Sequence, residues 1–221
     1  MKLTFLLLLI VTWSVAQTPE KLKQVITKMN SVKDYAVSAK ITTDIPMIKM
    51  LPTDAQFYFK QTNQFKVESK GIAILPKQGI SELNTFLADD ANYTALEGGV
   101  ETIEGVASKL FTIVPTGDNE MILAKIWIDE KRTVLTKTQM TTKSNGTVSV
   151  TYAYADQLEY GLPSKMLFTI DVKEFKIPKS MAADIHKTNK TEKDTRKTGT
   201  IQIDLSNYLV NQGLSDDFFK K

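Results

Sequence analysis

The chain has 221 residues, of which 42% are hydrophobic, enough for one domain with a substantial core. It contains no cysteine and one histidine, His186, which excludes disulfides, thiolate metal sites, cysteine nucleophiles and histidine-rich metal centres. The formal net charge is +3 with only two arginines, Arg132 and Arg196, whereas nucleic-acid binding favours clustered Lys and Arg. We therefore expect no metal, no cofactor and no nucleic-acid partner.

Residues 1–16 have the pattern of a secretory signal peptide. Lys2 is followed by the apolar run Leu3 to Trp13, and Ser14-Val15-Ala16 places small residues before a cleavage site. The run is too short to cross a hydrocarbon core, which needs roughly 20 residues. We predict cleavage after Ala16, and because an exported chain without cysteine is typical of a bacterial envelope, a periplasmic location.

The mature chain is predicted to begin with a helix. Thr18-Pro19-Glu20 combines a capping hydroxyl, a proline at the first helical position and an acidic first turn. One apolar stripe with helical spacing follows and predicts a helix that ends near Lys33: Leu22, Val25, Ile26, Met29 and Val32.

Beyond this helix the hydrophobic period changes to two, and turn residues such as Asn145-Gly146 separate the segments. Residues 17–221 are predicted to form a single mainly β (α+β) domain, with a short second helix over Ser81–Asp89 and a flexible polar loop over 179–197. About eleven strands are expected, paired antiparallel because their connections are short. They are Tyr35–Asp44, Ala55–Gln61, Gln64–Ser69, Ile72–Leu75, Tyr93–Ile103, Val106–Val114, Ile122–Asp129, Thr133–Thr142, Thr147–Ala155, Lys165–Phe175 and Thr200–Asn207.

The alternation within the strands predicts one apolar, concave face on a large sheet. These side chains either fill a closed core, which the alternation by itself favours, or line a cavity for an apolar ligand. The face comprises Phe57, Phe59, Phe65, Val67, Ile126, Ile128, Met140, Val150, Phe168 and Ile170.

Three segments, in order, resemble the bacterial outer-membrane lipoprotein-sorting family, the LolA/LolB-like periplasmic carriers. Phe57–Val67 is similar to a strand, turn and strand of that family, with Thr62 where a proline is usual. Ile126–Asp129, following Val114-Pro115, resembles its "P … lWID" pair, and Gly146–Tyr154 resembles the strand after its "d-x-x-G" motif. The resemblance extends over nearly the whole mature chain.

The resemblance implies an incomplete antiparallel β-barrel with helices across its mouth and a cavity that holds acyl chains. It makes the ten concave-face residues ligand-binding candidates in a monomeric, non-catalytic periplasmic protein for lipoprotein sorting or transport to the outer membrane. Its partners would be lipid acyl chains or lipoproteins, and an inner- or outer-membrane envelope protein. The arginine that holds the family's helical lid shut has no counterpart, since no arginine precedes Arg132.

Two other functions remain open: a lipid-sensing envelope regulatory domain and a carboxylate-based envelope hydrolase. A hydrolase needs two carboxylates that flank the substrate, and the adjacent acids Asp89-Asp90 and Asp216-Asp217 do not face each other across a cleft. The strand pattern also places lysine and aspartate away from the apolar face. The composition therefore favours a binding protein over an enzyme.

An apolar, proline-bounded segment lies between the first two predicted strands. Exposed apolar residues often mark interaction sites, so this segment is a candidate membrane or cargo loop. The alternative is a strand extension packed against the first helix. The candidate contact residues are Met47, Ile48, Met50 and Leu51.

Overall fold

The computed structural model describes residues 18–46, 48, 50–61, 64–71, 75, 82–144, 146–171 and 196–220. Its two α-helices are α1 (Glu20–Asn30) and α2 (Glu82–Leu87). Its strands are β1 (Asp34–Asp44), β2 (Thr53–Lys60), β3 (Gln64–Ser69), β4 (Tyr93–Ile103), β5 (Val106–Pro115), β6 (Met121–Asp129), β7 (Val134–Thr142), β8 (Gly146–Ala153), β9 (Lys165–Asp171) and β10 (Thr198–Val210).

The described strands form one sheet of ten in the order β3-β2-β1-β10-β9-β8-β7-β6-β5-β4, antiparallel throughout. The first and last strands in sequence are neighbours inside the sheet, where Ala39 pairs with Leu205. The sheet is open, with β3 and β4 as its edges. This confirms the predicted fold class, a mainly β, incomplete antiparallel barrel. Of the predicted strand Ile72–Leu75, Leu75 is not in a strand and residues 72–74 lie outside the described part of the chain.

The strand register places the predicted apolar residues on one face. Thr138 is paired with both Ile126 and Val150, and Val150 is paired with Phe168. Trp127 occupies the opposite face, where its indole N–H donates to the Glu101 carboxylate at 2.9 Å. The alternation in the sequence therefore predicted the sidedness of the sheet, because successive strand residues point to opposite faces.

Two hydrophobic clusters cover the concave face. The first is built on β1, β2, β8, β9 and β10, with Phe168 and Ile201 fully buried. The second is built on β5, β6 and β7 and is covered by α1 through Leu22 and Val25 and by α2 through Leu83 and Leu87. Tyr152 packs against both clusters. The helices thus close one part of the concave face, as predicted for the mouth of the barrel.

Helix α1 differs from the sequence prediction at both ends. Pro19 is the N-cap residue and makes no side-chain cap bond, while the Thr18 hydroxyl hydrogen-bonds to Tyr93. The helix ends at Asn30 instead of near Lys33, because the chain must turn into β1 at Asp34. Val32 is consequently buried outside the helix.

The predicted signal peptide lies outside the described residues, as does nearly all of the predicted loop over 179–197. At the end of that loop, the Arg196 guanidinium forms a bidentate ion pair with Asp44 at 2.7 and 2.9 Å. Within the described ranges, no helix has the length and apolar character needed to cross a membrane.

Candidate functional site

A cavity of about 280 Å³ lies where the two hydrophobic clusters meet. Its volume is at the small end of the range of ligand pockets, roughly 300–1,000 Å³. Exposed Asn30, Gln61 and Ala88 mark the side that faces solvent. The remaining wall comes from the end of α1 and the residues after it, six strands and the segment between β8 and β9: Met29, Val32, Tyr35, Val37, Phe57, Phe59, Leu135, Tyr152, Tyr154, Tyr160, Gly161, Leu162, Pro163, Met166, Leu205 and Tyr208.

Five of the seven tyrosines in the chain line this cavity. Tyr35 stacks on Phe59 with ring centroids 5.1 Å apart, and the ring of Tyr208 meets Tyr35 edge-on at 5.7 Å. Aromatic pairs in these geometries are favourable beyond the area they bury. A tyrosine also carries a hydroxyl, so the wall presents apolar rings together with hydrogen-bonding groups.

The cavity hydroxyls differ in their partners. The Tyr208 hydroxyl donates to the Pro163 carbonyl oxygen at 2.8 Å, and the Tyr152 hydroxyl lies 3.0 Å from the Thr138 hydroxyl. The Tyr154 hydroxyl accepts a hydrogen bond from the Leu135 backbone. For Tyr35 no hydroxyl partner is found among the described residues, and burial is the cause of its shifted pKa.

Burial raises the pKa of Tyr35 and of Tyr152 to about 12. The pKa of Tyr154 and of Tyr208 is raised as well, first by burial and then by the neighbouring tyrosines. These four phenols are therefore uncharged at neutral pH. Because no Asp, Glu, Lys, Arg or His is among the lining residues, the described wall of the cavity carries no charge.

Two cations beside the cavity contact other groups of the protein. Lys28 on α1 donates from Nζ to the Arg132 carbonyl oxygen at 3.1 Å. The Arg132 guanidinium pairs with the Asp129 carboxylate at 2.5 Å. Burial opposes ionisation of Asp129, but hydrogen bonds from Arg132 and the Lys131 amide outweigh it and lower the pKa of that carboxyl. These contacts tie the end of α1 to the β6–β7 turn beside the cavity.

Of the ten predicted concave-face residues, Phe57 and Phe59 line the cavity. Phe65 and Val67, on edge strand β3, are partly buried against the first cluster. The other six are buried within the two clusters and lie behind the cavity wall: Ile126, Ile128, Met140, Val150, Phe168 and Ile170. The concave face is thus mostly packed core, with a cavity where the two clusters meet.

The candidate membrane or cargo loop is largely turned inward where it is described. Ile48 is buried in the first cluster and forms an isolated bridge with Ile45, and Met50 packs against the same cluster. Leu51 is 87% exposed. Met47 lies outside the described residues. Ile48 and Met50 thus pack against the first cluster and not against α1, and one exposed leucine is a small contact surface.

Three of the four acids in the two pairs have surface roles in capping and ion pairing. Asp89 accepts a hydrogen bond from the Ala91 amide. Asp216 pairs with Lys60 at 2.6 Å, which lowers the pKa of Asp216, and Asp217 pairs with Lys220 at 2.8 Å. Within the described part of the chain, no group of three or more Asp, Glu, His or Cys residues is arranged to hold a metal ion.

Sequence reasoning missed most of the cavity wall. Tyr35 and Tyr208 lie near the ends of β1 and β10, and Leu162 lies in a loop, so strand alternation did not single them out. The alternation did continue from Val150 through Tyr152 to Tyr154. An unusual concentration of tyrosines near strand ends was the available signal.

Comparison with known proteins relates this fold to solved structures. A DUF1329 family protein from Desulfovibrio piger superposes with a TM-score of 0.55 at 13% identity, covering 90% of this chain and 95% of that one. A LolA superfamily protein from Nitrosomonas europaea superposes with a TM-score of 0.54 at 11% identity, and the match covers 90% of this chain and 97% of that one. A putative outer membrane lipoprotein-sorting protein domain from Vibrio parahaemolyticus superposes with a TM-score of 0.51 at 10% identity, and the match covers 90% of this chain and 95% of that one.

No protein-family model and no curated protein matches the sequence. The structural likenesses extend over nine-tenths of the chain and establish its fold. The protein therefore has the LolA-like fold, an open antiparallel sheet curved into an incomplete barrel with helices across its concave side.

Proposed function

We propose that the protein is a non-catalytic, exported binding protein that takes an acyl chain of a lipid or lipoprotein into the tyrosine-lined cavity. The observation that carries this proposal is a cavity at the junction of two packed clusters, whose described wall is uncharged and consists mainly of aromatic and aliphatic side chains. An acyl chain gains about 0.8 kcal/mol for each CH₂ group moved from water into such a site. About ten methylenes in contact with the wall therefore correspond to roughly 8 kcal/mol, the free energy of micromolar binding.

The fold and the surface carboxylates support a binding role. One structure with this fold is a putative lipoprotein-sorting domain, and we propose a comparable role in carrying lipid or lipoprotein across the periplasm to the outer membrane. The acid pairs considered for hydrolysis are engaged in a turn and in ion pairs at the surface. The pattern of residues 1–16 supports export with cleavage after Ala16.

The binding test uses the mature chain from Gln17 and Nile red, an uncharged dye whose fluorescence rises in apolar surroundings. We expect saturable dye binding that methyl myristate displaces. Leu162→Trp, which enlarges a side chain in the cavity wall, should weaken dye binding about tenfold or more. Leu209→Trp is the matched control, because Leu209 is 59% exposed and does not line the cavity.

Absence of dye binding to the folded wild type at micromolar concentrations would contradict the proposal, as would equal losses in the two tryptophan variants. A second measurement uses the protein purified from its exported location. We expect mass spectrometry of an organic extract to find acyl lipids in near-stoichiometric amount. The intact mass of the same sample should correspond to a chain that begins at Gln17.

A further inference from the structure

We propose that residues 211–220, which follow β10 and are named the strap below, control how fast a ligand enters and leaves the cavity. The strap crosses the outer face of β1, β2 and β3 through contacts with Asp34, Lys60 and Lys66. The inner side chains of β1 and β2 form one wall of the cavity. The inference rests on the proposed function, since it concerns the regulation of access to the same site.

The wall behind which the strap lies contains a row of three aromatic rings. Tyr208 on β10, Tyr35 on β1 and Phe59 on β2 contact one another in that order, with ring centroids 5.7 and 5.1 Å apart. All three rings line the cavity. Strand β2 is followed in the sheet by β3, which is an edge of the described sheet. Strand pairing therefore connects β2 and β3 to the rest of the sheet through β1 alone.

The residues that contact the strap alternate with residues that line the cavity. In β1, Asp34 contacts the strap and Tyr35 lines the cavity. In β2, the Tyr58 ring contacts the strap, whereas its neighbours Phe57 and Phe59 line the cavity. Successive strand residues point to opposite faces of a sheet. The strap therefore supports from outside the same strands that form the wall on the inside.

One end of the strap is firmly attached. The buried carboxylate of Asp34 accepts a hydrogen bond from the Gln212 amide at 2.8 Å and one from the Gly213 amide at 3.0 Å. Positive φ values of 56° at Asn211 and 78° at Gly213 turn the chain back across the sheet at this point. Hydrogen bonds to an ionised carboxylate are stronger than those between neutral groups, so this end stays in place.

The other end of the strap is held by contacts that are partly exposed. The Lys60 ammonium lies 2.6 Å from the Asp216 carboxylate, and the Asp216 side chain is 61% exposed. The Phe218 ring lies under the Lys66 ammonium, 4.1 Å from its centre, and meets the Tyr58 ring edge-on at 4.7 Å. Exposed ion pairs contribute little to stability and are screened by salt. This end can therefore detach and rebind while the first end remains attached.

Detachment affects the part of β2 that borders the solvent-facing side of the cavity. Lys60 is the last residue of β2, and the next residue, Gln61, is exposed and lines the cavity. Without the strap, β2 and β3 lose the support on their outer face, and we expect the aromatic row to separate more readily. Ligand then enters and leaves faster. The affinity changes little, because the bound ligand contacts the same wall when the strap is attached.

The experiment measures the association and dissociation rates of Nile red with the mature chain by stopped-flow fluorescence. Phe218→Ala should raise both rates about threefold to tenfold, since it removes the aromatic and cation–π contacts of the strap. Lys60→Met should raise both rates about twofold to fivefold. The equilibrium affinity should stay within about twofold of the wild type in both variants. Lys220→Met is the matched control with unchanged rates, because it removes an ion pair to Asp217 inside the strap.

A charge exchange and a second readout separate control of access from a general loss of stability. Lys60→Asp combined with Asp216→Lys restores an ion pair with reversed polarity and should return the rates toward those of the wild type. Hydrogen–deuterium exchange in Phe218→Ala should be faster in β2 and β3 and unchanged in β6 and β7.

Two outcomes would overturn this inference alone: rates equal to those of the wild type in both Phe218→Ala and Lys60→Met, or faster hydrogen exchange throughout the sheet. If the folded wild type binds no dye, the proposed function itself fails, and control of access to the cavity fails with it.

Discussion

The hydroxyl of Tyr208 donates a hydrogen bond to the carbonyl oxygen of Pro163 at 2.8 Å, joining β10 to the loop that leads into β9. Both residues line the cavity. Proline has no N–H, so at this residue the carbonyl is the backbone group available for a hydrogen bond. The position of one cavity wall therefore depends on a single side chain from a distant part of the sequence.

Replacing Tyr208 with phenylalanine should lower the free energy of unfolding by about 1 kcal/mol, because the ring remains while the hydrogen bond is lost. Urea denaturation followed by circular dichroism measures this change. Tyr58→Phe is the control, since its hydroxyl lies 3.5 Å from the Glu68 carboxylate at the surface and contributes little. A stability loss in Tyr58→Phe as large as that in Tyr208→Phe would show that the Pro163 contact is not responsible.

Phe168→Ala should destabilise the fold by about 3–5 kcal/mol, because a fully buried aromatic side chain leaves a void among its neighbours. Phe168 is paired with Val150 and Ile201 and does not line the cavity. Denaturant unfolding measures the loss, and Phe65→Ala, at a partly buried edge position, should cost less. We expect the folded fraction of Phe168→Ala to keep its Nile red affinity. Lost dye binding in a variant of normal stability would instead show that the ligand reaches Phe168.

Gly199→Ala should also destabilise the protein, by about 1–3 kcal/mol. A Cβ atom at this buried position would lie 2.9 Å from Ile45 Cγ1 and 3.1 Å from Ile45 Cα, and the backbone atom cannot move aside easily. Gly99→Ala is the matched control in another strand, because a Cβ there meets nothing within 4 Å. In thermal unfolding, Gly199→Ala should have a lower melting temperature than Gly99→Ala. Equal melting temperatures would mean that β10 and Ile45 pack less closely than the structure shows.

The cavity tyrosines predict loss of stability in alkali. Burial raises the pKa of Tyr35 and Tyr152 from 10.0 to about 12, so the folded state binds their protons more tightly than the unfolded state does. The contribution of these two tyrosines to the free energy of unfolding is complete below pH 10 and is lost as the pH rises toward 12. Ultraviolet absorbance should show these tyrosines ionising together with unfolding.

Tyr35→Phe provides the control for that titration, since it removes one of the shifted groups. Its stability should decline less steeply than that of the wild type above pH 10. Full ionisation of all tyrosines near their ordinary pKa, in protein that is still folded, would contradict the burial of these hydroxyls.

The sequence was sufficient for the two helices, for the ten described strands and for the side of the sheet that is apolar. Alternation assigned Ile126 and Trp127 to opposite faces of β6, because a strand presents successive side chains to opposite faces, although both side chains are buried. The helical stripe located α1, and the order of three segments indicated the LolA-like fold. Helix α1 begins at Glu20, one residue later than the sequence predicted, because the Thr18 hydroxyl does not cap the helix and instead bonds to Tyr93, a residue far away in sequence.

Only the tertiary structure decided where the concave face is packed and where it is open. The alternation is the same for Phe57, which lines the cavity, and for Phe168, which is enclosed by neighbouring strands. Pairing of β1 with β10 brings Tyr35 near Tyr208, although the two residues are far apart in the chain. Alternation of hydrophobic and polar residues along a strand specifies the face of the sheet on which a side chain lies. Whether that side chain meets another residue or empty space depends on contacts between distant segments, which no local pattern encodes.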